Sequence, residues 1–446
     1  MPFLSFPSDV ILGIALMLDL AEAVVLLSTC TMLREYSFEK SFWLSALDRV
    51  RGVQMHPIAV PVGQDLSNLT AVEIREAGLR TNRLMKNWSA KYPTPESVRA
   101  MHMDPMTEII VIPGTNLLIS HCQGFVACWD IATELCVGRL PLDPDFIVNS
   151  ASFEEYGKAM LGVLFGNGLT ISVSAVCVDY HDCGAVSISL VVAHSFQLPQ
   201  QRQFSVASQV VVDHSQVRVI AATFESLVNV YYLLSVSFSG EARIIENIFE
   251  TTQSIGRIPP IFRILFPNHD GVDFLRRLYD HADIAHVPTR TTAKPSTSKV
   301  QRRIPISFGL HTNYTPAAPI ASVVNVAKDH PKNIVEFWHA VPTLDGGLAI
   351  TDVYSHGFDW PNDYPVVGAS GVYTLHSFID PRTPRNEGVG HMLTLFRYIP
   401  GGAPIIRELW IRAKLNIEEG RLALDDHLGI ILLLRRDGLL HIVSYA

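Results

Sequence analysis

The chain is 446 residues long, 48% hydrophobic and 17% charged, a balance that supplies a large core for two or three domains and suits a fold rich in buried strands. Its formal charge of −8 excludes a general nucleic-acid binder, which needs a basic field. Cysteines at 30, 122, 128, 136, 177 and 183 form no Cys-x-x-Cys pair, which excludes metal-knuckle spacing and points to a reducing cytosolic or nuclear setting.

From Val10 to Leu27 the chain reads VILGIALMLDLAEAVVLL. A helix that is apolar all round must be covered all round, and a unit of about fifty residues cannot cover it alone. A membrane span needs about 20 apolar residues, and an Asp near its centre costs on the order of 3 kcal/mol. Asp19 and Glu22 sit near the middle of this run, and the start MPFLSFPSD lacks the positive charge of a signal peptide. The cover is therefore expected to be a partner protein.

Pro7 and Ser8 predict a helix start with Ser8 as the cap, and the helix runs to about Leu18. Asp19 with Glu22 three places on has capping-box spacing, so the run is two helices broken at Asp19. Leu33 and Tyr36 mark a third helical segment; Phe42, Trp43 and Leu47 mark a fourth. Phe6-Pro7-x-Asp9-Val10-Ile11-Leu12, with Ile14, Leu16 and Leu18, resembles the opening of an F-box. Asp19-Leu20 and the Val-Leu-Leu stretch match its second helix. Cys30, Leu33 and Arg34 match its Val-Cys and basic-aromatic segment, and Phe42-Trp43 with Leu47 its closing Leu-Trp segment. Phe6 replaces the usual Leu, and Thr31 and Met32 stand where basic residues are common. The resemblance implies docking on the Skp-type adaptor of a cullin–RING ubiquitin ligase, with Phe6, Pro7, Ile11, Leu12, Leu16 and Trp43 as the adaptor-binding residues. An ordinary helical cap on a β domain is the alternative.

Residues 51–98 form a bridge, with a loop over Met55–Gly63 and a helix over Asp65–Trp88 carrying Ala71, Ile74, Ala77 and Leu84 on one side. The run Asn82 to Trp88 resembles the linker of fungal F-box proteins with a β-rich C-terminal part. From Arg99 onward the period is two. Glu108–Ile112, Asn116–Cys122, Gly124–Ile131 and Glu134–Leu140 predict four strands joined by tight turns, the layout of one propeller blade. Trp129-Asp130, closing the third of these, resembles the Trp-Asp dipeptide of WD repeats. Similar groups recur over 145–195, 207–248 and 421–446, the last with the hairpin signal Asp437-Gly438.

The fold class is therefore mainly β with an N-terminal α-helical F-box-like unit over 1–50, and a degenerate β-propeller of six to eight blades over 99–446. A pair of β-sandwiches is the alternative. An early strand pairing into the last blade would close the ring and remove exposed edges. A polar, basic stretch rich in Ser, Thr and Pro inserts a surface loop at 287–303.

No P-loop, Gly-x-Ser-x-Gly elbow or His-Glu-x-x-His motif is present. Cys177, His181 and Cys183 fall in a strand pattern and read as structural. Asp425-Asp426-His427 reads as a turn between strands, and His356 to Tyr364 as an aromatic, acidic loop that packs down or serves recognition. No catalytic residue, metal or cofactor is expected. The resemblance implies a substrate receptor of an SCF ligase, with a Skp adaptor, the cullin core and a target protein as partners, and neither nucleic acid nor membrane. A propeller scaffold outside the ligase, or a propeller enzyme, is the alternative.

Overall fold

The computed structural model describes residues 7–252 and 305–446 except 105–107, 123, 144–145, 154, 167–169, 183–184, 198–203, 207–209, 213–214, 226–227, 314–319, 330–331, 343–347, 359–365, 380–390, 398–403, 410–420 and 436. The expected insertion at 287–303 lies outside them. The chain is mainly β with N-terminal helices. Among the described residues no helix is long and apolar enough to cross a membrane.

The helices are α1 (Ser8–Met17), α2 (Leu20–Ser28), α3 (Thr31–Tyr36), α4 (Lys40–Gly52) and α5 (Ala71–Ser89). Pro7, not Ser8, occupies the N-cap place of α1. The break at Asp19 is a full capping box: Glu22 N–H donates to the Asp19 carboxylate (2.7 Å), and Asp19 N–H donates to Glu22 (3.2 Å). α5 starts six residues later than the expected Asp65. A second capping box, Thr70 with Glu73, fixes its first turn, while Asp65 heads a separate 3-10 turn, Leu66–Asn68.

Strand β1 (Ser97–His102) leaves α5 through Pro93 and Pro95. Sheet 1 follows: β2 (Glu108–Val111), β3 (Leu117–Cys122), β4 (Phe125–Asp130) and β5 (Leu135–Pro141), paired in chain order. These are the four strands the sequence predicts. Sheet 2 repeats the pattern with β6 (Ile147–Ser152), β7 (Lys158–Gly166), β8 (Thr170–Asp182) and β9 (Ala185–Gln197). Sheet 3 holds β10 (Phe204–Val206), β11 (Val210–Val212), β12 (Gln216–Glu225), β13 (Val228–Ser237) and β14 (Ala242–Thr252), with β10 and β11 both on β12. Sheet 4 holds β15 (Pro305–Asn313), β16 (Ile320–Asp329), β17 (Lys332–Pro342) and β18 (Leu348–Phe358). Sheet 5 holds β19 (Val366–Val367), β20 (Tyr373–Ile379), β21 (His391–Arg397) and β22 (Ile405–Leu409). Sheet 6 holds β23 (Arg421–Asp425), β24 (Ile430–Leu434) and β25 (Leu439–Ser444), and takes β1 as its fourth strand.

Each sheet is thus antiparallel with its strands side by side in chain order, except that β10 and β11 of sheet 3 share one edge of β12 and that the first strand of the β region completes the last sheet. β1 pairs β25 from Ser97↔Ser444 to His102↔Leu439, the closure that edge protection predicts. Cores lie between sheets 1 and 2, 2 and 3, 5 and 6, and 6 and 1. Ile112 and Val126 of sheet 1 meet Leu161 and Val176 of sheet 2. Val173 and Phe196 of sheet 2 meet Val217 and Leu234 of sheet 3. Leu432 and Met101 of sheet 6 meet Leu118 of sheet 1. β24, sequence IILLL, is buried along its whole length because a neighbour covers both faces. Consecutive meanders packed face to face are a propeller-like layout, not two β-sandwiches.

Met101 is the one buried side chain of β1. Met101→Ala is expected to lower the unfolding free energy by about 2–5 kcal/mol, the usual cost of such a core truncation. An unchanged urea midpoint would show that β1 does not clasp sheet 6.

Candidate functional site

The helical unit presents one face inward and leaves another open. Ile11 and Ala15 of α1 and Leu20, Ala23 and Leu27 of α2 are buried, as are Phe42, Trp43, Leu47 and Val50 of α4. Most of these join Ile74 and Ala77 of α5 in one cluster. Trp43 is its anchor. Its indole N–H donates to Ser37 O (2.7 Å), and its ring meets Phe42 edge-on with centroids 5.1 Å apart. It lies against α5 at Gly78, where an added Cβ would come 2.3 Å from the ring. Arg49 of α4 closes the end of α1 by donating to Leu16 O and to Leu18 O (3.2 Å), the place where a helix dipole favours a cation.

The expected adaptor-binding residues therefore divide. Phe6 lies outside the described residues. Pro7 is exposed, and Leu12 and Leu16 are half-buried against the helical core. Ile11 and Trp43 are interior, 0% and 1% exposed, and serve packing within this chain. On the other side of α1, Val10, Gly13, Ile14 and Met17 follow the i, i+3, i+4, i+7 rule and carry no charge. Val10 is 40% exposed and Met17 80%, and Val25 of α2 is 65% exposed. The sequence does not single these residues out, because α1 is apolar on both sides.

A buried polar seam joins the helical unit to sheets 1, 5 and 6. Asp425 and Asp426 are 1% and 0% exposed. Asp425 accepts from Gly114 N–H (3.0 Å) in the β2–β3 turn and from His427 and Leu428 N–H in its own turn. Asp426 accepts from Ser370 N–H (3.2 Å) and from the Ser370 hydroxyl, in the β19–β20 turn. The turn reading of Asp425-Asp426-His427 holds, and each acid also reaches a different neighbouring sheet. Burial pushes the Asp425 carboxyl up to about 6 and raises Asp426 as well. Gly114 has φ +76°, and a Cβ there would lie 2.2 Å from Val60 O of the bridge loop.

From the helical side, His427 Nδ1–H donates to Ile58 O (2.9 Å) and Arg397 donates to Gln54 O (2.8 Å). His56 is 1% exposed and its Nδ1–H donates to Pro57 O (2.6 Å). Burial pulls this imidazole down to about 3, with smaller pushes from Arg397 and His427. Trp88 of α5 packs on Tyr373 (4.6 Å) and Tyr445 (6.4 Å). Asn87 donates to Tyr445 O (2.8 Å).

Elsewhere, Trp129 N–H donates to Ser120 Oγ (3.0 Å) across sheet 1, and Asp130 accepts from Ala132 N–H and the Thr133 hydroxyl to close the β4–β5 turn. Cys177 is a half-buried strand thiol, and Cys183 lies outside the described residues, among which no group of three metal-ligating side chains occurs. His356 to Phe358 end β18, and the rest of that aromatic stretch to Tyr364 lies outside the described residues.

No family model matches the sequence, and no curated protein sequence matches it. Similar solved structures include the WD40 domain of SCAP from fission yeast, 11% identical over 77% of this chain and 85% of that one, with a TM-score of 0.38. The Cps50 (Swd1) β-propeller domain of Myceliophteria thermophila is 14% identical over 78% and 99%, with a TM-score of 0.39. The Nup133 β-propeller domain of Vanderwaltozyma polyspora is 10% identical over 77% and 83%, with a TM-score of 0.29. All three scores lie below 0.5, so the propeller-like layout rests on the sheets themselves.

Two outcomes follow from this geometry. Gly78→Ala gains about 1 kcal/mol of helix propensity but collides with Trp43. Overpacking costs about 1–3 kcal/mol, so the variant should melt at a lower temperature, and a rise would show that Trp43 moves freely. For His56, the unfolded chain takes up a proton near pH 6.5 and the folded chain only near 3, so its contribution to stability is lost as pH falls between those values. Asp425 acts in the opposite sense between about pH 6 and 4, so the comparison must be with His56→Gln. The wild-type advantage over that variant should shrink by about 1.4 kcal/mol per pH unit from pH 6 to 4 in urea titrations. A constant difference would mean that His56 is not held neutral.

Proposed function

We propose that this chain is the substrate-receptor subunit of an SCF-type ubiquitin ligase, acting in the cytoplasm or nucleus. Residues 1–50 form the adaptor-binding unit, 51–98 the loop and linker helix, and 99–446 a propeller of six to eight blades with an insertion at 287–303. The observation that carries this is the open, uncharged face of α1: Val10, Gly13, Ile14 and Met17 beside Pro7, Leu12 and Leu16. Burying a few such side chains at about 1.5–3 kcal/mol each is enough to dominate an interface. Ile11 and Trp43 would hold the face in shape, with Phe6 extending it. The ring would hold a target protein near the ubiquitin-charged enzyme, and the receptor's contribution is proximity.

The same face would serve a scaffold that works outside the ligase. Recovery of purified Skp-type adaptor on the tagged full-length chain separates the two. Val10→Asp with Met17→Asp should reduce recovery about ten-fold or more, because a charge is then desolvated at the contact. Both positions are exposed, so the circular-dichroism spectrum and melting temperature should not change. Failure of the wild type to retain adaptor, or equal retention by the variant, rules the ligase role out.

A further inference from the structure

α5 belongs to two cores at once. Ile74, Ala77, Thr81, Leu84 and Trp88 step along it by three and four residues, so all five share one buried face that runs almost its whole length. Ile74 and Ala77 pack in the core of the helical unit with Phe42, Trp43 and Leu47. Leu84 and Trp88 pack in the core of sheets 5 and 6 with Tyr373, Leu424 and Val443. Thr81, midway, is fully buried, and its hydroxyl accepts from Ala59 N–H (2.9 Å), which ties the bridge loop to the same face. The core between sheets 2 and 3 holds no helix residue among the described ones.

Neither half of α5 is long enough to persist without its core. The helix has 19 residues, and an isolated helix shorter than about 12–15 residues is marginal in water. Between the halves lies Gly78, the least helix-favouring residue of the segment AVEIREAGLRTNRLMKNWS. The Trp43 ring lies against that position, so the helical core braces the helix where it would break most easily. In the last turn, Asn87 donates to Thr94 O and Tyr445 O (both 2.8 Å) and accepts from Thr94 N–H (3.0 Å), which fixes the other end to the residue that follows β25.

We propose that α5 is a strut that couples the helical unit to sheets 5 and 6, so that these loosen and tighten together while the core of sheets 2 and 3 stands apart. Opening either core unseats half of α5, the remaining half is too short to hold its turns, and the other core loses the side chains that the helix supplies. Such coupling is reciprocal. A partner on the open face of α1, whose Leu12, Ala15 and Leu16 lie on the first core, also strengthens the pairing of β25. Closure of the last sheet in turn strengthens the seat of α1. The coupling serves any partner on that face and does not rest on the ligase reading.

Three matched truncations test this by hydrogen exchange on the full-length chain: Val50→Ala in the helical core, Val443→Ala in the core of sheets 5 and 6, and Val219→Ala in the core of sheets 2 and 3, all at buried positions. Val443→Ala should speed the slowest amides of α4 about ten-fold or more, and Val50→Ala those of β25 likewise. Val219→Ala should speed exchange in sheet 3 and leave α4 and β25 unchanged. Asn87→Ala removes hydrogen bonds without core volume and should move α4 in the same direction, which keeps the test open if Val443→Ala does not fold. Faster exchange confined to the core that carries the substitution, or an equal effect of Val219→Ala on α4 and β25, overturns the coupling. Adaptor recovery is read separately and is not affected by either outcome.

Discussion

The pairing of β1 with β25 is the constraint on which the other features depend. It joins residues 97–102 to residues 439–444, so nearly the whole β region is the loop that it closes. The entropy of closing a loop grows only with the logarithm of its length, and six residues of ladder with Met101 in the core offset it. Because β1 follows α5 after a few residues, the same pairing draws α5 onto the end of sheet 6. Leu84 and Trp88 then belong to the core shared by sheets 5 and 6, beside Tyr373, Leu424 and Tyr445. The helical unit is thus built into the β region and has no free linker about which to swing.

The seam beneath α5 shows how buried charge is tolerated there. Two adjacent carboxylates lose their hydration, a cost of several kcal/mol each unless donors replace the water. Asp425 meets backbone N–H groups from two turns, and Asp426 meets the N–H and hydroxyl of Ser370. The donors come from sheets on opposite sides of sheet 6, so satisfying the charges also fixes the spacing of three sheets. The imidazoles of His56 and His427 face carbonyl oxygens, which accept only from Nδ1–H. The His56 ring thus fills Pro57 O, and the His427 ring joins Val60 N–H on Ile58 O, so both carbonyls of the bridge loop are satisfied.

Local features were legible in the sequence. The Asp19–Glu22 box, the four strands of sheet 1 and the turn at Asp437-Gly438 each depend on residues within a few places of one another. Features set by distant partners were not. Asp425 reaches Gly114, 311 positions away, and nothing near either residue signals it. Trp43 looks like a contact residue in the motif, but Gly78 admits its ring into the interior. The outward side of α1 was ambiguous for a different reason. Ile11 and Ala15 on one side and Val10, Ile14 and Met17 on the other are all apolar, so periodicity has no contrast to report. Thr70 outcompeted Asp65 as the start of α5 because its box with Glu73 satisfies two N–H groups at once.

Strand direction decides which surfaces remain open. Successive strands alternate, so the turns at 112–116, 368–372 and 426–429 lie on one side of the sheets and the β3–β4 and β24–β25 turns on the other. The bridge loop and α5 touch the first group: Val60 at Gly114, Ile58 at His427 and Leu84 at Gly429. The helical unit therefore occupies the side of those turns, and a partner on α1 is held at a fixed distance from anything bound across the sheets. For a receptor whose proposed contribution is proximity, such rigidity matters more than affinity at either end. A lysine on the bound target is useful only within a narrow range of positions, and each degree of freedom between the two sites dilutes the effective concentration there. The seam residues, remote from both contacts, would then bear on turnover through the angle that they fix.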